Sequence, residues 1–166
     1  MKTMTLRPYT VGGRVFDERP VTVTDPGYDA GTWCTLTGIK VQPGQYDCVA
    51  WRGRDQWKDD TGKRRSCTRT MICGIYLEGN KPSPEEWGNM PIIGTIGVDA
   101  GLAGFFQDKP DYDRDAWFEM CDKLLNKSWM ITEEGFFTES GYGDGSYNVH
   151  GVKNEAGLYT ALEIRF

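Results

Sequence analysis

Several features that commonly carry chemistry are scarce or missing in this sequence. It has one histidine, His150, and no Cys-x-x-Cys pair, so a zinc site of cysteine and histidine is disfavoured. A Ser-His pair is disfavoured too, because Ser146 would lie roughly 13 Å from His150 along one predicted strand. We expect His150 to be a strand residue near the surface. No apolar run can span a bilayer or act as a signal peptide, so the sequence predicts a cytoplasmic protein.

A pattern of disulfide bonds is missing as well. The five cysteines are odd in number and show no short pairing pattern, which in a cytoplasmic protein predicts free and mostly buried thiols. They are Cys34, Cys48, Cys67, Cys73 and Cys121.

The charge balance argues against a general nucleic-acid-binding protein. The 166 residues carry a formal net charge of -5, whereas such proteins need a basic face to neutralise phosphate. A local basic patch is compatible with this total, and residues 63–65 could contact phosphate. Because Asp59 and Asp60 lie beside them, we expect residues 52–66 to be a solvated hairpin tip or loop. The length predicts a single domain, residues 1–166.

High glycine and aromatic contents favour a β-rich fold. Glycine, at 21 residues, marks turns, and aromatic residues, at 13%, suit half-buried strands. One long helix is predicted from about residue 113 to about residue 127, on the helical spacing of Trp117, Met120, Cys121 and Leu124. The predicted fold class is therefore α+β, a mainly antiparallel, sandwich-like β-sheet structure with this helix packed on it. We expect Trp117 to be buried against the sheet.

Apolar patterns predict the strands that carry the remaining motifs. "PIIGTIGVDAG" is apolar enough for a strand buried on both faces, whereas residues 158–166 alternate and predict a half-buried strand. Together with "EGFFTES" and "SYNVHG", this last strand is expected to form a three-stranded meander with turns near residues 141–145 and 151–157. In "SPEEW", Ser83 and Glu86 form a capping box and predict a short second helix.

Three aspartates stand at predicted turns next to strand ends. They are Asp25 in "DPGY", Asp99 in "VDAG" and Asp144 in "GDGSY". Aspartate is common at turns because its side chain bonds nearby backbone amides, and Gly145 after Asp144 would supply the positive φ of a tight hairpin. If the strand ends converge, the three carboxylates could instead hold a divalent cation or act on a ligand. The sequence supports either interpretation.

The same segments carry a resemblance to a known family. "VTVTDPGYD", "IGVDAGLAGFF", a tryptophan-containing helix and "SGYGDGSYNVHG" stand in an order that resembles an uncharacterised family of bacterial and phage proteins, a domain of unknown function. Its members combine an early DP-x-Y element, a VD-[AS]-G segment followed by an aspartate, here Asp108, and a G-[WY]-GDG-x-Y hairpin near the end. The resemblance implies a stand-alone cytoplasmic β-rich domain and, by association, a role in phage–host or toxin–antitoxin conflict. It implies no cofactor and no catalytic residue.

Two hypotheses about function follow. The first is a non-enzymatic binding module that presents aromatic loops to a protein or a small polar ligand; the aromatic residues are Trp33, Trp87, Tyr142 and Tyr147. The second is a metal-assisted hydrolase or phosphoesterase that uses strand-end aspartates and a divalent cation. We favour the first, because the sequence offers no nucleophile–base pair, and we expect no membrane partner and no general nucleic-acid partner. The candidate ligand-binding residues are Asp25, Tyr28, Asp99, Asp108, Asp144 and Tyr147, of which Asp25, Asp99 and Asp144 are the candidate metal ligands.

Overall fold

The fold is a sandwich of two antiparallel β-sheets with one α-helix packed on its outside. A computed structural model describes residues 4–83, 86 and 89–166 of the protein. This architecture confirms the predicted α+β fold class. In chain order the elements are β1 (Leu6–Phe16), β2 (Val21–Thr24), β3 (Leu36–Ile39), β4 (Gly44–Lys58), β5 (Arg64–Leu77), β6 (Ile92–Val98), β7 (Leu102–Phe106), α1 (Arg114–Leu124), β8 (Trp129–Ile131), β9 (Gly135–Glu139), β10 (Gly145–Lys153) and β11 (Tyr159–Arg165).

The strands are divided between a larger sheet A and a smaller sheet B. Sheet A has the strand order β1-β4-β5-β11-β10-β6, and sheet B has the order β3-β2-β7-β9-β8. Two connections between the sheets matter for the site. The first crossover, residues 99–101, leads from β6 in sheet A to β7 in sheet B. The second crossover, residues 140–144, leads from β9 in sheet B back to β10 in sheet A.

The main core lies between the two sheets. Successive residues of a strand point to opposite faces, so each strand sends every second side chain into this space. The rings of Phe16 and Tyr46 meet edge to face there, with centroids 5.2 Å apart. Burial of these apolar side chains is the main force that holds the sheets together. Other core residues with no exposed surface are Val21, Val23, Cys48, Cys73, Ile75, Ala103, Phe105, Phe136, Val149, Leu162 and Ile164.

Helix α1 begins at a capping aspartate and covers the outer face of sheet B. Asp113 accepts a hydrogen bond from the backbone N–H of Ala116 at 2.8 Å, which satisfies one of the free amides of the first turn. The helix then packs through Met120 against Phe106 and Phe137, which point away from the main core. The helix is therefore held by a second apolar cluster, on the opposite side of sheet B from the first.

Trp117 occupies a different position from the predicted one. It belongs to the same cluster as Met120 but is only half-buried, so the prediction of a buried Trp117 is wrong. Its ring also packs on the loop after β2: a Cβ on Gly27 would lie 3.0 Å from Cη2 of Trp117. The helical spacing predicted the correct face of the helix, but it could not reveal that this tryptophan lies at the rim of the cluster.

The predicted C-terminal meander is also wrong. β10 and β11 pair in sheet A, but β9 pairs with β7 and β8 in sheet B. β9 is buried on both faces, since Phe136 points into the main core and Phe137 lies under α1. A strand with two apolar faces fits the interior of sheet B, so residues 140–144 form a crossover instead of a hairpin turn.

β6 and β11 have opposite environments to those predicted. β6 is an edge strand of sheet A, and Ile92 is 59% exposed, so the strand is not buried on both faces. β11 is an inner strand, and its second face is buried as well, because Ala161 and Glu163 are covered along with the core-facing residues. The apolar content of a run does not reveal which place the strand takes in the sheet.

Residues 52–66 form strands over most of their length. β4 continues to Lys58 and β5 starts at Arg64, so only the turn between them, residues 59–63, is a hairpin tip. Of the two predicted alternatives, a hairpin tip or a loop, the hairpin is present, and cross-strand pairing extends its strands into solvent.

All five cysteines are free, as predicted, although only Cys48 and Cys73 are fully buried. Burial raises the pKa of Cys48 to about 12, so this thiol stays protonated.

In the predicted short helix, Ser83 N–H donates to the Glu86 carboxylate at 2.8 Å, and Trp87 lies outside the described residues. None of the helices in the described chain is long and apolar enough to cross a membrane.

The two aromatic residues near α1 should differ in their effect on stability. Phe137→Ala should lower the free energy of unfolding by about 3–5 kcal/mol, because it empties a site with no exposed surface. Trp117→Ala should cost about half as much, since the ring is only half-buried. Urea unfolding of both variants measures the difference, and a larger loss for Trp117→Ala would contradict this description of the helix.

Candidate functional site

The DPGY and VDAG segments meet at one end of the sandwich. Asp25 directly follows β2 in sheet B, and Asp99 directly follows β6 in sheet A. The first crossover turns sharply between the sheets, and Gly101 takes the left-handed conformation there, with φ at 68°. The loop after β2 and the first crossover therefore lie side by side.

The buried carboxylate of Asp25 joins these two segments. Its Oδ1 accepts a hydrogen bond from Gly27 N–H at 2.7 Å, which closes a tight turn. Its Oδ2 accepts bonds from Asp99 N–H at 2.8 Å and Ala100 N–H at 2.6 Å, on the first crossover. The side chain has no exposed surface. Asp25 is thus a structural link between the two sheets, and its oxygens are already committed to backbone amides.

A cavity of about 280 Å³ opens beside this link. It is lined by Asp25, Gly27 and Ala100, together with three aromatic rings and one exposed carboxylate. We call this set the aromatic–acidic pocket; its lining side chains are Tyr28, Asp99, Tyr112 and Trp117. Tyr28 comes from the β2–β3 loop and Asp99 from the first crossover. Tyr112, two residues before α1, and Trp117 of α1 supply the other two rings.

The aromatic side of the pocket is built by packing of α1. The rings of Tyr112 and Trp117 lie with their centroids 6.3 Å apart at 50°. Trp117 also lies against Gly27, where a larger residue would push the ring away. Asp99 is exposed, and no ion pair or side-chain hydrogen bond of its carboxylate is present among the described residues. Its negative charge is therefore available to a ligand.

The hydroxyl of Tyr28 is held in its neutral form. Burial, a hydrogen bond with Cys34 and the negative charges of Asp99 and Asp25 raise the pKa of Tyr28 well above its usual value. A tyrosine hydroxyl is neutral at neutral pH even at its ordinary pKa, so Tyr28 contributes an aromatic ring and no charge to the pocket.

A cation from the chain itself already lies at the outside of the pocket. The Lys109 ammonium lies 4.9 Å from the centroid of the Tyr112 ring and donates hydrogen bonds to the carbonyls of Pro26 and Pro110. Burial lowers the pKa of Lys109 from its usual value. This contact demonstrates that the local combination of aromatic faces and oxygens accommodates an ammonium group.

Other sequence-predicted residues lie elsewhere or have structural contacts. Asp108 forms an ion pair with Arg19, before β2, so it lies at the opposite end of β2 from Asp25. The Tyr147 hydroxyl donates to the carbonyl of Gly143 at 2.8 Å and thereby braces the second crossover. Asp144 is exposed and does not line the pocket.

The turn chemistry of the second crossover differs from the prediction. Positive φ occurs at Gly141 and Gly143, at 55° and 85°, and not at Gly145. The expectation that Gly145 supplies this conformation is therefore wrong. Gly145 is the first residue of β10 and pairs with Val98, because the connection ends in a strand of sheet A instead of a tight hairpin.

The loop aromatic residues that the sequence analysis assigned to a binding module do not form one surface with the aromatic–acidic pocket. Trp33 is 93% exposed in the β2–β3 loop and is not part of the pocket lining. Tyr142 lies under Arg69, whose guanidinium is 5.0 Å from the ring centroid. Tyr147 packs edge-on against Phe166. The pocket instead uses Trp117, which the sequence suggested only as a core residue, and Tyr112, for which the sequence analysis made no prediction.

The described residues contain no group of three or more His, Cys, Asp or Glu side chains that could hold a metal ion. Asp25, Asp99 and Asp144 are all described, and they do not form such a group. Both oxygens of Asp25 also accept hydrogen bonds from backbone amides, and Asp99 and Asp144 are exposed residues on different crossovers.

A buried polar network lies on the outer face of sheet A, and little in the sequence indicated it. Trp51 Nε1–H donates to the Tyr76 hydroxyl at 2.8 Å, and that hydroxyl donates to Glu163 Oε1 at 2.8 Å. Arg165 Nε donates to the other oxygen of Glu163 at 2.9 Å. Glu163 has no exposed surface, and its partners satisfy its charge. The network therefore has a structural role; its only sequence signal is a charged residue inside an apolar strand.

His150 belongs to the same face and is buried, so its predicted position near the surface is wrong. It lies opposite Glu163 in the pairing of β10 and β11, and its Nδ1 is 2.8 Å from the carbonyl oxygen of Met90. Met90, two residues before β6, packs on this face, and its carbonyl contacts the imidazole. The pattern of residues along one strand does not reveal that a distant residue buries its outer face.

Comparisons with protein-family models, with curated proteins and with solved structures found no match.

Replacement of Asp25 should test its structural role. Asp25→Asn should lower the free energy of unfolding by about 2–4 kcal/mol, because the amide places an N–H₂ group against backbone N–H donors. Asp144→Asn makes the same chemical change on an exposed residue and should stay within about 0.5 kcal/mol of wild type. Urea unfolding measures both. Equal effects of the two substitutions would contradict the link between the sheets.

The polar network on sheet A predicts that loss of the Tyr76 hydroxyl lowers the stability of the protein. Tyr76→Phe removes the donor to Glu163 and should destabilise the protein by about 1–3 kcal/mol. Tyr9→Phe is a matched control, since Tyr9 is 47% exposed and stacks on Trp129 through its ring. If thermal unfolding gives the same midpoint for both variants, the hydrogen bond from the Tyr76 hydroxyl to Glu163 does not stabilise the protein.

Proposed function

We propose that the protein is a non-enzymatic, cytoplasmic binding module that recognises a small polar ligand carrying an alkylammonium group. The single observation behind this proposal is the convergence of three aromatic rings and one exposed carboxylate on one cavity of about 280 Å³. The binding residues are Tyr28, Asp99, Tyr112 and Trp117.

The chemistry of the lining favours a cation over a neutral or anionic ligand. The face of an aromatic ring is negative, and an ammonium group over it gains about 0.5–2 kcal/mol, with tryptophan the best ring. Asp99 adds a charge–charge attraction at the mouth of the pocket. Lys109 supports this assignment, because its ammonium already lies against Tyr112 from outside the cavity.

The pocket also limits the size of the ligand. Pockets for drug-sized ligands measure about 300–1,000 Å³, so a cavity of about 280 Å³ suits a small ligand or a single alkylammonium head group. Its base is rigid, because Asp25 binds the two loops that form it. A preformed site loses little entropy when it binds a ligand.

The resemblance to the uncharacterised bacterial and phage family is consistent with this location. Its DPGY and VDAG segments supply Tyr28 and Asp99, the polar half of the pocket, and the tryptophan-containing helix supplies Trp117. A bacterial or phage origin, and a role in phage–host conflict, stay predictions of that resemblance. The alternative, a metal-assisted hydrolase, has less support because both oxygens of Asp25 bind backbone amides.

Calorimetric titration with tetramethylammonium and choline tests the proposal. We expect 1:1 binding with a Kd of about 1 mM or tighter, which corresponds to about −4 kcal/mol. The neutral isostere 3,3-dimethylbutanol should bind at least about tenfold more weakly, because it lacks the charge that the rings and Asp99 attract.

Two single-residue variants test whether Asp99 and Trp117 contribute to the binding of tetramethylammonium. Asp99→Asn and Trp117→Phe should each weaken tetramethylammonium binding severalfold, whereas Asp144→Asn, which removes a charge from the neighbouring crossover, should not. Circular dichroism confirms that each variant is folded. Equal binding of the neutral isostere, or equal losses in Asp99→Asn and Asp144→Asn, would overturn the proposal.

A further inference from the structure

The hairpin of β4 and β5 extends beyond the rest of sheet A. The pairing of β4 with β1 ends at Gly53, and the pairing of β5 with β11 ends at Ile72. Beyond these points, within the described chain, residues 54–58 pair only with residues 64–68. At about 3.3 Å per residue, this ribbon projects by roughly 17 Å before its turn.

Positive charge is concentrated on this ribbon and its base. Residues 52–70 contain seven lysines and arginines and three aspartates, in a chain whose formal net charge is -5. The ribbon is therefore a basic projection from an acidic body. Its field acts locally, because charges more than about 8–10 Å away are largely screened at physiological salt.

One face of the ribbon has its charges paired. The register places Asp55, Trp57, Arg65 and Arg69 on this face, which we call the paired face. Arg69 Nε lies 3.0 Å from the Asp55 carboxylate, and Arg65 Nε lies 2.8 Å from that of Asp59 in the turn. Arg69 also lies over the ring of Trp57. These cations already have partners.

The opposite face carries cations without acids. Arg54 lies opposite Thr68, and Lys58 lies opposite Arg64; all three cations are exposed. None of the three forms an ion pair with an acidic residue of the described chain. Arg54 donates a hydrogen bond to the Ser66 hydroxyl at 2.9 Å. We call this the open face; its side chains are Arg54, Gln56, Lys58, Arg64, Ser66 and Thr68.

Although the net charge of the whole chain predicts no general nucleic-acid partner, we infer that the open face binds the phosphate backbone of double-stranded DNA. Three unpaired cations, with amide and hydroxyl donors between them, are the side chains that bind phosphate oxygens. A groove of about 550 Å³ that can receive the anion is lined by open-face residues together with Trp57 and Arg65. The major groove of B-DNA is about 12 Å wide and admits a two-stranded β-ribbon, so the projecting shape fits between its phosphate rows.

The chemistry of the open face disfavours two other polyanions. Single-stranded nucleic acid binds where several aromatic rings stack on successive bases, but a single ring, Trp57, lines this groove, and it already lies under Arg69. An acidic protein would need an apolar core for its interface, and the open face is wholly polar. Duplex phosphate needs neither of these.

Fluorescence anisotropy with a labelled 20-base-pair DNA duplex tests the inference. We expect binding at 50 mM salt that weakens as salt rises, with a slope of log K against log salt of about −3 for three phosphate contacts. The triple substitution Arg54→Gln, Lys58→Gln and Arg64→Gln should weaken binding at least about tenfold and flatten this slope. A control protein removes the same charge from other surfaces by Lys81→Gln, Lys123→Gln and Lys127→Gln, and it should bind as wild type does.

Each other outcome would overturn the inference. These outcomes are no binding to the duplex at 50 mM salt, equal weakening in the control protein, tighter binding to the matching single strand, or tighter binding to a poly-glutamate peptide. Thermal unfolding establishes that both triple variants are folded. Titration of the aromatic–acidic pocket with tetramethylammonium uses other residues, so the two proposals stand or fall separately.

Discussion

The carboxylate of Asp25 fixes the relation between the two sheets at the end where the candidate pocket lies. One side chain accepts three backbone hydrogen bonds, one from its own turn and two from the first crossover. Hydrogen bonds to a charged acceptor in a buried setting are strong, and loss of the acceptor leaves three amides unsatisfied. The positions of Tyr28 and Asp99 depend on this link, because each residue stands on one of the two segments that it joins.

The motif residues therefore divide into a supporting group and a ligand-facing group. Asp25 and Tyr147 use their polar atoms on the backbone of the chain and hold the two crossovers. Tyr28 and Asp99 face the cavity, where packing of α1 adds two aromatic rings. A rigid support beneath a small aromatic site lowers the entropic cost of binding. The two proposed sites also differ in sign, since the pocket presents a carboxylate and the ribbon presents unpaired cations.

Local patterns predicted those parts of the fold that depend on neighbours in sequence. The helical spacing around Met120 located α1, and the alternation in residues 158–166 located β11. The same patterns failed for His150 and Glu163, because burial of the outer face of sheet A depends on residues distant in the chain that pack on it. They also failed for Trp117, which contacts a loop about ninety residues earlier in the chain.

The sequence by itself determined the fold class, the free thiols and the presence of aspartates at strand ends, because periodicity, cysteine pattern and turn preference are local properties. The tertiary structure alone decided that Asp25 is a structural link, that Asp99 faces a pocket, and that Asp108 lies elsewhere. It also decided which cations of the β4–β5 hairpin are paired. The physical reason is that strand order and cross-strand register bring together residues far apart in the chain, and neither is encoded in any single segment.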